Sequence, residues 1–380
     1  MSNNLSAVMP KILARGLLAL REQAVMPRLV NFDYAMEAAE QGDTVDIPVP
    51  SSLVASDVVP SNTLVAADDS APSKVSVNLN NWKKVAFHLS DKEVAELDTN
   101  RHFVPMQMSE AVSVLSSEVN NSIHNLYTGV YGFAGSTAEA AFNTTDGVKA
   151  ALDARKMLNK QKAPRSSRRG VIDFDTEAAA LELSSFQDAD RAGDSAPKIE
   201  GEIGRKFGID WYSDDGVTTH TTGAAGTPLV KGAGQAGTTL IVDGFTTKPS
   251  VGDIFTINGD EQTYTVTAAT DLSVTTSTLT VSPAVASAPS DNAAVTFKAS
   301  HKVNLVFHRD AFAFVTRPLV DATEQFALGN EMMTMQDPQT GLIMRLEIAR
   351  QYKRTVWELD ILYGAALVRP ELAVRVASTI

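Results

Sequence analysis

The chain has 380 residues, 44% of them hydrophobic and 21% charged, with a formal net charge of -12 and no cysteine. That length exceeds the roughly 250–300 residues at which a single core stops growing, so two or more folding units are expected. Disulfides, thiolate metal sites and cysteine nucleophiles are excluded. The surplus of acid argues against a dedicated nucleic-acid binder, whose affinity comes from Lys and Arg neutralising phosphates.

No apolar run approaches the ~18 residues of a membrane span, and the best candidate, Ile12 to Leu20, is broken by Arg15. The opening MSNNLSAVMPK lacks a basic stretch followed by an uninterrupted apolar core. A soluble, cytoplasmic protein is therefore expected. Residues 9 to 30 place Ile12, Leu13, Leu17, Leu20 and Val25 at near-helical spacing, which predicts an amphipathic helix ending near Pro27. From Thr44 the run TVDIPVP alternates, a loop rich in Pro, Ser and Asp follows, and KVSVNLNNWKKVAFHL alternates again. This predicts a long hairpin whose tip, Ser51 to Pro72, has little to bury and should be a mobile arm unless a partner holds it.

Met106 to Val130 carries the strongest helical stripe, with Met108, Val112, Leu115, Val119, Ile123, Leu126 and Val130 at steps of three and four. It reads as a structural spine. Residues 136 to 225 mix helices and short strands: a helix from Thr145 to Lys160 capped by Thr144 or Thr145, a strand from Gly170 to Phe174, and a capped helix from Asp175 to Leu183. Between them KQKAPRSSRRG, Lys160 to Gly170, reads as an exposed basic loop, with contact to DNA or an acidic neighbour as the minority alternative.

Between about Gly226 and Phe297, Thr, Val, Gly and Ala dominate and charge nearly vanishes. The runs TTLIVDGF, DIFTIN, QTYTVTAA, LSVTT, LTVSP and AAVTF, separated by turn residues, predict about six strands of a small barrel or sandwich, with Asn258 to Asp260 as a hairpin turn. From His301 the chain is strand-rich again, and MRLEIARQ and KRTVWELDILYG read as long strands rejoining the earlier sheet.

Motifs for chemistry fail on context. GAGQAG, with Gly232, Gly234 and Gly237, matches a dinucleotide fingerprint by letter but precedes a strand where the motif needs a helix. Asp188, Asp190 and Asp194 have the flavour of a calcium loop, but Ala192 occupies a ligand position. The six histidines, His88, His102, His124, His220, His301 and His308, show no metal-ligand spacing. No catalytic, cofactor-binding or metal residue is assigned, and an enzyme would need a deep pocket gathering groups such as Asp173, Asp175 and His220.

The element order, together with the closing segments NLVFHRDAFAFVTRPL, DPQTGL, RQYKRTVWELDILYG and RPELAVRV, resembles the coat-protein family of tailed bacteriophages with the HK97-like fold, and the β-rich stretch is similar in placement to the extra domain of P22-like coat proteins. The resemblance implies an α+β subunit divided as follows: an N-arm over 1–40, an extended loop over 41–90, a peripheral domain with the spine helix over 91–135, an axial domain over 136–225, a β-barrel-like insertion over 226–300, and a return to both domains over 301–380. It implies a non-enzymatic major capsid protein that forms hexamers and pentamers of an icosahedral shell around double-stranded DNA. The protein would be assembled in the host bacterial cytoplasm and located in the virion. The implied partners are a scaffolding protein, a portal at one vertex and packaged DNA by non-specific proximity, with a decoration protein left open and no membrane. A net-negative wall would suit such a container by repelling the packaged DNA. The alternative reading, suggested by the Thr-rich stretch, is a β-rich bacterial surface or secreted binding protein.

Overall fold

The computed structural model describes residues 24–33, 44–50, 57, 72–93, 103–143, 147–187, 203–273, 275–319, 331–336 and 341–380. The protein is a mixed α/β structure in which strands predominate. Most of the expected N-terminal helix, the arm tip and the three aspartates Asp188, Asp190 and Asp194 lie outside the described residues. Of the first, a single turn is described, α1 (Met26–Leu29), and Pro27 stands in its first turn. Proline there opens a helix, because the missing N–H has no intrahelical partner at that position, and the helix expected before it lies outside the described residues. Met26 donates its backbone N–H to Asn120 Oδ1 at 2.8 Å, which ties this segment to the spine.

The spine, α2 (Phe103–His124), has 22 residues, or about 33 Å at 1.5 Å per residue. Its stripe of Met108, Ala111, Val112, Leu115, Val119 and Ile123 is buried. The helix stops earlier than the expected Val130, because Asn125–Gly129 tightens into a 3-10 turn. The apolar periodicity runs on through that turn, since Tyr127 and Val130 are buried as well.

Around the spine lie two sheets. One is built on the long strand β19 (Arg354–Leu367), flanked by β18 (Ile343–Gln351), β16 (Phe312–Thr316) and β3 (Asn81–Ser90), with β17 (Glu331–Gln336) beyond β18. All of its pairings are antiparallel. The hairpin of β1 (Thr44–Val49) and β2 (Ser73–Asn78) runs in register from Thr44↔Asn78 to Val49↔Ser73. Its Val45, Ile47 and Val77 share a small core with Ala313 and Val315, so the base of the hairpin is anchored even though its tip is polar.

The second sheet has the order β4-β20-β15-β5-β7-β6, with β8 beside β15. Its strands are β4 (Gly132–Gly135), β5 (Arg168–Ile172), β6 (Arg205–Lys206), β7 (Ile209–Ser213), β8 (Thr219–His220), β15 (His301–His308) and β20 (Ala373–Ser378). Two helices accompany it, α3 (Lys149–Lys160) and α4 (Phe174–Leu181). Thr144 and Thr145, the expected caps of the first, lie outside the described residues, and Val148 stands at its N-cap with no side-chain hydrogen bond. The strand expected over Gly170 to Phe174 begins and ends two residues earlier, because Phe174 opens α4 and is exposed. The helix expected over Asp175 to Leu183 is correspondingly shifted to Phe174–Leu181. The basic stretch is only partly an exposed loop. Arg168 belongs to β5 and is buried, donating to the Asn159 side-chain Oδ1 in the last turn of α3 and to Ala163 O and Pro164 O in the loop that follows.

The chain leaves this sheet after β8 and returns at β15, and the two strands pair through His220↔His301 and Thr219↔Lys302. The excursion between them is a six-stranded antiparallel sheet of order β14-β11-β12-β13-β10-β9. Its members are β9 (Ala225–Val230), β10 (Gly237–Thr247), β11 (Ile254–Ile257), β12 (Thr263–Ala269), β13 (Ser277–Val285) and β14 (Val295–Phe297). A bridge between Leu229 and Ala294, with Val230 N–H donating to Ala293 O, closes it into a barrel. The strand count agrees with expectation, but one member differs: LSVTT makes only a turn bridged at Ser273 and Thr276, and AGTPLV supplies the sixth strand. That strand escapes the alternation pattern because glycine and proline interrupt it. Gly226 (φ +116°) and Gly244 (φ +82°) approach so closely across β9 and β10 that a Cβ on either would sit 2.3 Å from the facing carbonyl.

The barrel has its own core, with Val230, Leu240, Phe245, Phe255, Tyr264, Leu279 and Val281, separate from the large core shared by the spine and the two sheets. Two cores predict two thermal transitions. Phe245→Ala, which removes a side chain 1% exposed, should destabilise by ~3–5 kcal/mol and lower only the barrel's transition in calorimetry. A shift of the whole profile as one unit would contradict separate cores.

Candidate functional site

The groups that could have made an active site do not converge. Asp173 is the N-cap of α4, where it accepts from the hydroxyl of Thr176. Lys302 donates to Asp173 at 2.8 Å and to Asp175 at 2.5 Å. His220 turns instead toward the barrel. A hollow of about 380 Å³ on the barrel seam is lined by β9 and β14 residues and by none of these three. The GAGQAG stretch is a turn held by Gln235, whose amide bonds to Lys231 O and Ile241 O while its Oε1 accepts from Ile241 N–H, and a strand follows it. It presents no helix N-terminus to a pyrophosphate. No group of three or more His, Asp or Glu side chains suited to a metal ion occurs among the described residues.

What the fold does gather is a buried polar junction between barrel and sheet. Arg375 of β20 is fully buried, donating to Gly252 O at 2.7 Å, Thr128 O at 3.0 Å and Thr265 Oγ1 at 3.1 Å, with its guanidinium 5.0 Å from the centre of the Tyr127 ring. Burial pulls its pKa down to about 9. Asp253, also fully buried, accepts from the backbone N–H groups of Gly223, Ala224 and Ser250 and from His220 Nε2 at 2.9 Å. The other ring nitrogen of His220, Nδ1, is hydrogen-bonded with the Tyr127 hydroxyl at 3.1 Å.

His301 stands beside His220 with ring centres 5.6 Å apart, and His124 beside Tyr127 at 6.1 Å. The three histidines are distant in sequence, so no spacing motif could have signalled the cluster; only the topology brings β8, β15 and the end of α2 together. Desolvation holds His124 and His301 neutral, with pKa values of about 4 for each. Of the remaining histidines, His308 is buried at the far end of β15, His88 is exposed on β3, and His102 lies outside the described residues. The junction is built as a weld. Its polar atoms are largely spent on one another.

The chain also presents large exposed side chains. Trp82 on β3 is 59% exposed, with its Nε1 donating to Asp360 at 2.9 Å, and Tyr352 at the turn between β18 and β19 is 86% exposed. Aromatic anchors of this kind are typical of protein interfaces.

A chain from Mycobacterium phage Che8 matches this architecture with a TM-score of 0.54 and 15% identity, over 93% of this chain and 90% of that one. The chain shares its fold with a phage protein. Weaker likenesses are to a chain from the capsid of cyanophage P-SCSP1u (TM-score 0.49, 12% identity, 89% and 84% covered) and to one from the capsid of an empty GTA particle (TM-score 0.48, 10% identity, 94% and 90% covered). No family model and no curated protein sequence matches the chain.

The two depressed histidines make folding stability pH-dependent. Each is neutral when folded and free to protonate when unfolded, so the unfolded state binds more protons between pH 6.5 and about 4. Their contribution is complete above pH 6.5, declines by ~3 kcal/mol for each as pH falls to about 4, and levels off below. Melting curves of the double variant His124→Gln, His301→Gln should show a flatter slope over that window whatever its absolute stability; an unchanged slope would disprove the assignment. Separately, Asp253→Asn places an amide NH₂ among three N–H donors and should cost ~3 kcal/mol or more. It should also speed proteolytic cleavage around Thr222, and equal cleavage rates would refute the weld.

Proposed function

We propose that the protein is the major capsid protein of a tailed bacteriophage with the HK97-like fold, a structural subunit whose function resides in its contacts with other copies and not in an active site. The observation that carries this reading is the shared fold with a phage protein over nine-tenths of both chains. The resemblance of the closing segments to the coat family supports it independently. These segments contain β16 and most of β15, β19 and β20, strands on which both sheets are built.

In this reading residues 1–40 are the N-arm and 41–90 the extended loop laid over a neighbour. Residues 91–135 contribute the spine of a peripheral domain and 136–225 an axial domain at capsomer centres. Residues 226–300 are an inserted barrel in the manner of P22-like coat proteins, and 301–380 complete both domains. Two physical features favour the assignment. The β1 and β2 hairpin has a buried base, and the sequence of its connection, rich in Ser, Ala and Asp, offers little to bury, so a neighbouring subunit would supply that burial. Exposed Trp82 and Tyr352 provide anchors for such contacts. Closed packing of hexamers and pentamers, guided by a scaffolding protein and interrupted by a portal, would enclose double-stranded DNA in the virion after assembly in the host cytoplasm.

Negative-stain microscopy of the expressed chain, alone and with co-expressed scaffolding protein, is expected to show closed shells. Deleting Ser51 to Pro72 should leave a folded, soluble subunit that no longer forms them. Shells unaltered by the deletion would remove the extended-loop role, and a subunit that stays monomeric under every assembly condition would remove the capsid reading itself.

A further inference from the structure

Within residues 149–169 the chain carries eight Lys and Arg side chains against the single carboxylate of Asp153, in a protein whose net charge is -12. Elsewhere the cations are mostly neutralised: Lys74 by Asp46, Lys83 by Glu118, Lys84 by Glu358, Arg309 by Asp33, Arg345 by Asp360, Arg350 by Asp91. On α3 and the loop after it the pattern breaks. Arg155, Lys156, Lys162 and Arg165 are all exposed and have no ion-pair or hydrogen-bond partner among the described residues, while Lys160 reaches only Glu261, at 3.6 Å.

The loop is held on a fixed platform. Arg168 beneath it bonds three oxygens of the α3 end and the loop, and Lys162 and Ser167 take left-handed backbone conformations (φ +58° and +50°) that keep the loop folded back over the helix end. Burial, and after it the like charges of Arg155 and Arg165, hold the Arg168 guanidinium below its ordinary pKa.

We propose that this face of α3 and its loop is a docking surface for double-stranded nucleic acid, engaged through phosphates and not through bases. The chemistry selects this partner over the alternatives. A protein interface is anchored by aromatic and apolar groups at its centre, and residues 149–167 contain no aromatic side chain. Unpaired strands are gripped by stacking bases on aromatic rings, which the same composition cannot supply. What remains is long-stemmed cations with Ser166 and Ser167 hydroxyls among them, the set that phosphate contacts use. The inference rests on the capsid reading for its biological setting, where the packaged genome is the available duplex, but not for its chemistry. A wall acidic overall with one basic face would hold DNA at defined points while repelling it elsewhere.

The test is fluorescence anisotropy of the intact subunit with a short labelled duplex of arbitrary sequence over a range of salt. Affinity should fall with a log–log slope of about -3.6, at roughly 0.9 per phosphate for four cations, with little dependence on sequence. Reversing the four free cations together (Arg155→Glu, Lys156→Glu, Lys162→Glu, Arg165→Glu) should weaken binding at least tenfold and flatten the slope. If that variant fails to fold, as read by circular dichroism, the four glutamine replacements serve the same comparison. Duplex binding equal in wild type and variant overturns the proposal, as does tighter binding of poly-glutamate or of a single strand. Microscopy of the same preparations separates the two readings. Normal shells with unchanged DNA affinity defeat this inference alone, whereas salt-dependent duplex binding without any shells defeats the capsid reading and leaves this surface standing.

Discussion

The fold depends on a single buried cation. Arg375 lies at the centre of β20 with no carboxylate in direct contact, its charge dispersed over the carbonyls of Gly252 and Thr128, the hydroxyl of Thr265 and the face of Tyr127. Each partner belongs to a different part of the chain: a barrel loop, the tight turn after the spine, a barrel strand. Removing a guanidinium from water is expensive unless its donors are met, so the arrangement exists only when barrel, spine and sheet are docked together. One orphaned nitrogen, Nε, marks the remaining penalty. Asp253 repeats the logic from the barrel side, gathering three backbone N–H groups and His220 around one carboxylate.

That constraint explains why a unit with its own core is not merely tethered. The barrel is joined to the sheet by two paired strands, β8 and β15, and by this polar junction, while its hydrophobic residues face inward on themselves. Hydrogen bonds are directional where apolar contact is not. A polar weld therefore fixes the orientation of the barrel in a way that a greasy patch would not, as the capsid reading, in which every copy must present the same surface, would require.

Much of this was legible in the sequence, and the failures have physical causes. The spine was visible because one face of a long helix is buried and the other is not. Strands β18 and β19 alternate for the same reason. The β9 strand was hidden because its Gly226 and Pro228 break the alternation, the glycine serving a close crossing with Gly244 of β10. Arg375 was invisible for a different reason: in AVRVAS the alternation suggests a solvated arginine, but β20 is covered on both faces and all six of its residues are buried. The histidine cluster could not be foreseen, since spacing rules detect ligands on one element and these three rings come from three. Where the sequence reads as an exposed basic loop, Arg168, Arg169 and Gly170 instead enter β5 and Ala163 is buried, and Arg168, drawn inward, bonds the loop whose Lys162 and Arg165 stay outside.

Charge then divides the molecule in a way that net charge conceals. Among the described residues most cations outside α3 and its loop are ion-paired, whereas Arg155, Lys156, Lys162 and Arg165 gather charge with no ion pair on that one element. In the capsid reading the acidic surplus would keep a concentrated subunit dispersed before assembly, since like-charged copies repel over roughly a Debye length of about 8 Å at physiological salt. A compact basic face on the same subunit creates a strong local potential that the distant acids are too screened to cancel. Within the capsid reading the two roles are compatible only if that face points toward the enclosed genome. The placement of α3 against β4 and β20, on the sheet that also anchors the barrel, therefore constrains which side of the subunit is the inner one.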